Sequence, residues 1–97
     1  MTFLQFESFG PLVHEAFRVR VGDAVLEMTL AMVQRLTNRP YPGQVRVPFR
    51  LRFHCARQVI LPQGSYGFEN ADLGKLDIFI VPLARDRDGV IYEAIFN

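Results

Sequence analysis

A single cysteine, Cys55, is all the chain offers for cross-linking. No intrachain disulfide can form, and the fold suits a reducing compartment. No apolar stretch approaches the roughly 18 uninterrupted residues of a membrane span. The segment from Met1 to Glu7 has neither the basic start nor the long apolar run of a secretory signal. Cytoplasmic residence, with no membrane partner, is the expectation. His14 and His54 are the only histidines, and with one cysteine they match no metal-ligand spacing. There is no glycine-rich phosphate loop, and no two carboxylates stand out as an acid–base couple. Neither a metal nor a cofactor is expected. The formal net charge of +1 argues against a dedicated nucleic-acid partner.

Acidic residues are also missing from one long interval, between Glu27 and Glu69, which holds Arg35, Arg39, Arg46, Arg50, Arg52, Arg57 and His54. From Glu69 onward six acids face three bases. The plainer reading is that the two halves pair across a sheet. The functional reading is a basic face for a partner or an anion. The excess of arginine over lysine carries no functional weight.

What is present suits one domain over residues 1–97. The chain is 49% hydrophobic and 12% aromatic. A chain of this length buries about two-thirds of its unfolded surface without a metal or disulfide staple. Residues 2–9 read as a short helix, with Thr2 as cap, Gln5 at the capping-box position, Phe6 and Phe9 inward, and Gly10-Pro11 as the stop. Residues 15–21 alternate as a strand, with Phe17, Val19 and Val21 on one face, and Gly22-Asp23 forms a turn. Residues 24–36 fit both helix and strand. A strand over 25–31 is favoured, with a bulge or change of structure near Met32. Two prolines and a glycine make 37–44 a loop.

Residues 45–55 carry the cleanest alternation. Val47, Phe49, Leu51, Phe53 and Cys55 face one way, and Arg46, Arg50, Arg52 and His54 the other. Pro48 points outward and suggests an edge or a bulge. A short strand follows at 65–69 and a turn at 70–74. The strand over 76–83 is so apolar that burial on both faces is expected. Asp86-Arg87-Asp88-Gly89 signals a hairpin into a last strand over 90–96. Six strands with short connections and no helix long enough for a crossover predict a mainly β fold, a small antiparallel β-barrel or sandwich with a short N-terminal helix.

His54 and Cys55 are adjacent, so on a strand they point to opposite faces, and the imidazole cannot activate its neighbour's thiol. Cys55 runs in phase with the apolar residues, as a small core residue does. No catalytic residue is expected, and an enzyme using His54 or Cys55 is the least favoured reading. The candidate interaction face is the row Arg46, Arg50, Arg52 and His54. Same-face neighbours on a strand lie about 6.6 Å apart, a spacing suited to carboxylates or phosphates. The same row would equally serve to keep a sheet face soluble.

The segments Leu61-Pro62-Gln63-Gly64-Ser65-Tyr66, Leu73-Gly74, Phe79-Ile80-Val81-Pro82 and Tyr92-Glu93-Ala94-Ile95-Phe96-Asn97 resemble a family of small bacterial proteins of unknown function, the DUF6916 type. Pro48 to Phe53 and Glu15 to Val19 fit as well. Ser65 and Ile80 stand where threonine and leucine are usual. The resemblance implies no enzymatic activity, and its loose association with phage-tail-like genes implies a structural role. Within its motifs, Gly64 reads as a positive-φ residue before a strand, and Gly74 as a turn glycine. The hydroxyls of Tyr66 and Tyr92 would tie strand ends together, and Glu93 would pair with an arginine of the row. The functional expectation is a non-enzymatic interaction or assembly module, self-associating or docking on a protein partner. The alternative is a small-ligand or anion-binding barrel using the arginine face.

Overall fold

The computed structural model describes residues 4–37, 40–44 and 46–97. Six antiparallel strands close into a barrel: β1 (Ala16–Val21), β2 (Ala24–Arg35), β3 (Phe49–Cys55), β4 (Gly64–Asn70), β5 (Gly74–Asp86) and β6 (Gly89–Phe96). Their order around the barrel is β1-β2-β3-β6-β5-β4, and β4 returns to β1. The hairpin turns follow from their residues. Gly22 opens the β1–β2 turn with φ 58°, and Asp86 Oδ1 accepts the Asp88 amide at 2.8 Å to fold the β5–β6 turn.

Residues 24–36 resolve as a strand, with the irregularity where the sequence places it. The register of β2 against β3 shifts between Leu30 and Met32. That one extra residue moves the core-facing set from Met28 and Leu30 to Val33, leaving Met32 off the core. A second shift, between Pro82 and Ala84, bends β5 against β6. Two bulged long strands let a six-stranded sheet turn tightly enough to close.

A barrel this narrow is filled by side chains, here in aromatic layers. Phe17, Phe53 and Phe68 cross the middle, with ring centroids 5.0–6.3 Å apart. Phe9, Phe49 and Phe96 close one end, the last two stacked at 4.8 Å. Each buried ring contributes about 1.5–3 kcal/mol from its area, and each favourable ring pair about 1 kcal/mol more. Asn70 is the buried polar residue among those described. Its Nδ2 donates to Ala16 O at 3.1 Å, and its Oδ1 accepts the amides of Asp72 and Leu73, which locks the β4–β5 turn to the start of β1.

Four expectations need correction. The helix (α1) spans only Phe6–Phe9 before a 3-10 turn, Gly10–Leu12, and its cap is Gln5 in a reciprocal box with Ser8. Thr2 lies outside the described residues. Strand β3 starts at Phe49, not at 45. Val45 lies outside the described residues, and Val47 is exposed. Pro48 has no amide to give a ladder, and its carbonyl instead accepts the Leu36 amide at 2.9 Å. Gly64 does not have a positive φ, whereas Gly74 (φ 74°) and Gly89 (φ 138°) do. Strand β5 is not buried on both faces. Ile78 and Ile80 point into the core, but Phe79, Val81 and Leu83 are exposed. The chain forms one layer of sheet, and the four-residue helix sits at one end of the barrel, where Phe9 packs on Phe49 and Phe96 and Glu7 meets Arg35 of β2 at 2.6 Å. Its own backbone amide, then Arg35, hold the Glu7 carboxyl below its ordinary range. Nothing in the described chain covers the outer face of β5.

Candidate interaction surface

Alternation along β3 sends Phe49, Leu51, Phe53 and Cys55 into the core and Arg50, Arg52 and His54 outward. Pairing with β6 sets these three opposite Ile95, Glu93 and Ile91. Glu93 Oε2 accepts from Arg52 Nε at 3.2 Å and from Arg50 NH1 at 3.4 Å. Two guanidinium groups thus share one carboxylate, which leaves one positive charge over. The Glu93 side chain is only 18% exposed and the arginines 30% and 38%, so solvent screens this cluster only in part. Arg50 Nε is enclosed without an acceptor.

Arg46 does not join the row. It precedes the strand and turns back to the barrel end, donating to Asn97 O and Leu4 O at 3.0 Å each, with its guanidinium 5.3 Å from the Phe96 ring centre. It staples the chain near Leu4 to the last residue. His54 and Cys55 lie on opposite sides of the wall, the thiol fully enclosed.

The arginine–glutamate cluster is bordered by apolar surface. Val81 pairs with Glu93 across to β5. Phe79 (52% exposed), Val81 (37%), Leu83 (47%) and, on β6, Ile95 (47%) all face solvent. Large apolar side chains gathered on one face of a small protein mark a contact surface more often than scattered ones do. The sequence reading missed this face because it took an apolar run as buried. The lone Asp77 in that run was the signal: it marks the outward set as Asp77, Phe79 and Val81, opposite in phase to Ile78 and Ile80.

The remaining motif residues act as a latch. Tyr92 lies opposite Phe53 inside the barrel. Its hydroxyl accepts the buried Leu61 amide at 3.0 Å and donates to Val59 O at 3.1 Å. Tyr66 donates to Pro62 O at 2.6 Å. Both tyrosines therefore hold the connection between β3 and β4, rather than joining strand ends. Burial raises the Tyr92 hydroxyl above its ordinary pKa, and the Leu61 hydrogen bond opposes this to a lesser degree.

Among the described residues no group of three or more His, Cys, Asp or Glu side chains comes together to hold a metal, and no helix is long and apolar enough to cross a membrane. No curated protein and no solved structure matches the chain. The family model for a domain of unknown function, DUF6916, matches residues 4–96, and the chain belongs to that family.

Proposed function

We propose that this domain is a non-enzymatic interaction module that docks on a protein partner through the outer face of β3, β6 and β5. The observation that carries the reading is the combination of exposed Phe79, Val81, Leu83 and Ile95 with two arginines that share one carboxylate. Charge complementarity defines the partner: a protein surface with a carboxylate set among apolar side chains. Such a surface neutralises the spare guanidinium charge and covers the apolar residues together. Phage-tail-like assembly is one setting for such a module, and cytoplasmic residence is part of the proposal.

The test is a native pull-down read by mass spectrometry with three folded proteins: wild type, Arg50→Glu/Arg52→Glu and Phe79→Ser/Leu83→Ser. Light scattering on each reports self-association. The reading requires one protein that wild type retains and both variants lose, with retention falling as salt rises. A partner retained equally by all three refutes it. A wild-type dimer dissociated by both variants replaces the partner by a second copy.

A further inference from the structure

On the side of the barrel away from the arginine row, the outward residues of β2, β1, β4 and β5 fall into two cross-strand rows. One reads Glu27, Arg18, Glu69, Lys75, and the other Val25, Arg20, Gly67, Asp77. The first row alternates in sign, and Arg18 closes on Glu69 at 2.9 Å. The second is unfinished. Arg20 and Asp77 stand on strands two spacings apart, about 10 Å, with a glycine between them. Neither has an ionic or hydrogen-bonded side-chain partner among the described residues. A side chain starting at Gly67 would meet only Arg20 Cβ at 3.9 Å and Asp77 Oδ1 at 4.0 Å. No atom of the Arg20 guanidinium lies within 4 Å of a Cβ at Gly67. The gap opens into a cleft of about 400 Å³ lined also by exposed Val25, by Lys75 and by the Arg18–Glu69 pair, near the small end of ligand-binding pockets.

We propose that this cleft binds a small zwitterion of the aliphatic α-amino-acid type, with its carboxylate on Arg20 and its ammonium on Asp77. The cleft is separate from the β3–β6–β5 face and does not depend on docking there. Its charges select the class. An anion alone is attracted by Arg20 and Lys75 but leaves Asp77 unpaired and is repelled by it, and a cation alone leaves Arg20 unpaired and is repelled by it and by Lys75. A molecule carrying both charges satisfies both groups, and exposed Val25 receives its hydrocarbon part. Gly67 keeps the floor open. It has no positive φ and open surroundings, so a larger residue there folds and acts as a plug.

The experiment is an amide NMR titration of the full chain with L-leucine, 4-methylpentanoate (no ammonium) and 3-methylbutylamine (no carboxylate). Leucine should shift the amides of Arg20, Gly67 and Asp77 and saturate them at about 1 mM or below. Each analogue, having lost one charge-assisted contact, should bind about tenfold more weakly or worse. Arg20→Gln, Asp77→Asn and Gly67→Leu should each abolish saturation, and their own spectra report that they remain folded. Absence of any leucine response, equal binding of 4-methylpentanoate, or leucine binding retained in folded Asp77→Asn would each overturn the proposal.

Discussion

Removing one oxygen, in Tyr92→Phe, tests how the β3–β4 connection is held. The ring stays in the core, so the change isolates the hydroxyl. Two contacts go: the Leu61 amide loses its acceptor in a buried setting, and Val59 O loses a donor at a part-buried one. An orphaned buried donor costs about 1–3 kcal/mol, and the second bond about 1 kcal/mol less the water that replaces it. The sum is about 2–3 kcal/mol. For a domain of this size that lowers Tm by about 10–20 °C. Urea unfolding followed by circular dichroism should show a lower midpoint with the same slope, and hydrogen exchange at Leu61 should accelerate. Tyr66→Phe is the internal control. Its hydroxyl bonds an exposed carbonyl that water can satisfy, so the loss should stay below about 1 kcal/mol.

Alkaline pH gives the same residue a second readout. Burial raises the folded pKa of Tyr92 above that of the unfolded chain, about 10. Above pH 10 the unfolded chain releases a proton that the folded chain retains. The stabilisation is therefore complete below pH 10 and falls as pH climbs towards the folded value. The advantage of wild type over Tyr92→Phe should hold up to about pH 10 and shrink above it. A loss under about 0.5 kcal/mol with unchanged Leu61 exchange would refute the latch.

Gly89→Ala should cost about 3 kcal/mol or more, or prevent folding, because a Cβ there runs into the Cys55 carbonyl at φ 138°. Gly74→Ala, with a positive φ but open space around it, should cost only about 1–2 kcal/mol. Both are read from urea midpoints, and equal effects would contradict the packing at Gly89. Glu93→Gln should destabilise by about 1–2 kcal/mol, less at high salt, because Arg50 and Arg52 lose their shared counter-charge. Unchanged stability and unchanged binding would remove Glu93 from the surface. Cys55, fully enclosed, should react with a thiol reagent only as the barrel opens, so labelling should accelerate with urea. Rapid stoichiometric labelling of folded protein would contradict its burial.

The barrel was largely legible from the sequence because its strands are period-2 and its turns glycine-marked. The β3 alternation gave both the core face and the outward arginines, and the acid-free interval anticipated their pairing with Glu93. The break in phase at Val33 located the bulge that the register shift confirms. Alternation also ran on where there is no strand. Arg46 and Val47 continue the β3 pattern, yet Pro48 removes the amide a ladder needs, and Arg46 goes to two carbonyls instead. The tyrosine latch was only half legible: hydroxyls that needed partners were visible, but not the Leu61 amide thirty-one residues away. The place of Gly67 was not legible, because its neighbours Arg20 and Asp77 are brought beside it only by the β1–β4–β5 register.

Strand β5 is where sequence logic and barrel logic diverge most. An apolar run over both faces is the pattern of a strand covered on both sides, and here the barrel covers only one. Closure removes free sheet edges, the usual route to unwanted association, but it leaves the outer face of β5 bare. A partner that covers Phe79, Val81 and Leu83 restores the two-sided burial that their composition implies. The same strand turns Asp77 towards the cleft, and Asp77 and Phe79 are successive outward residues about 6.6 Å apart. That closeness makes the two proposals separable by adjacent substitutions. Phe79→Ser should weaken docking and leave leucine binding intact, whereas Asp77→Asn should do the reverse. If both substitutions impair both activities while the barrel stays folded, β5 carries one continuous site in place of two, and the partner's carboxylate rather than a free zwitterion is what reaches Arg20.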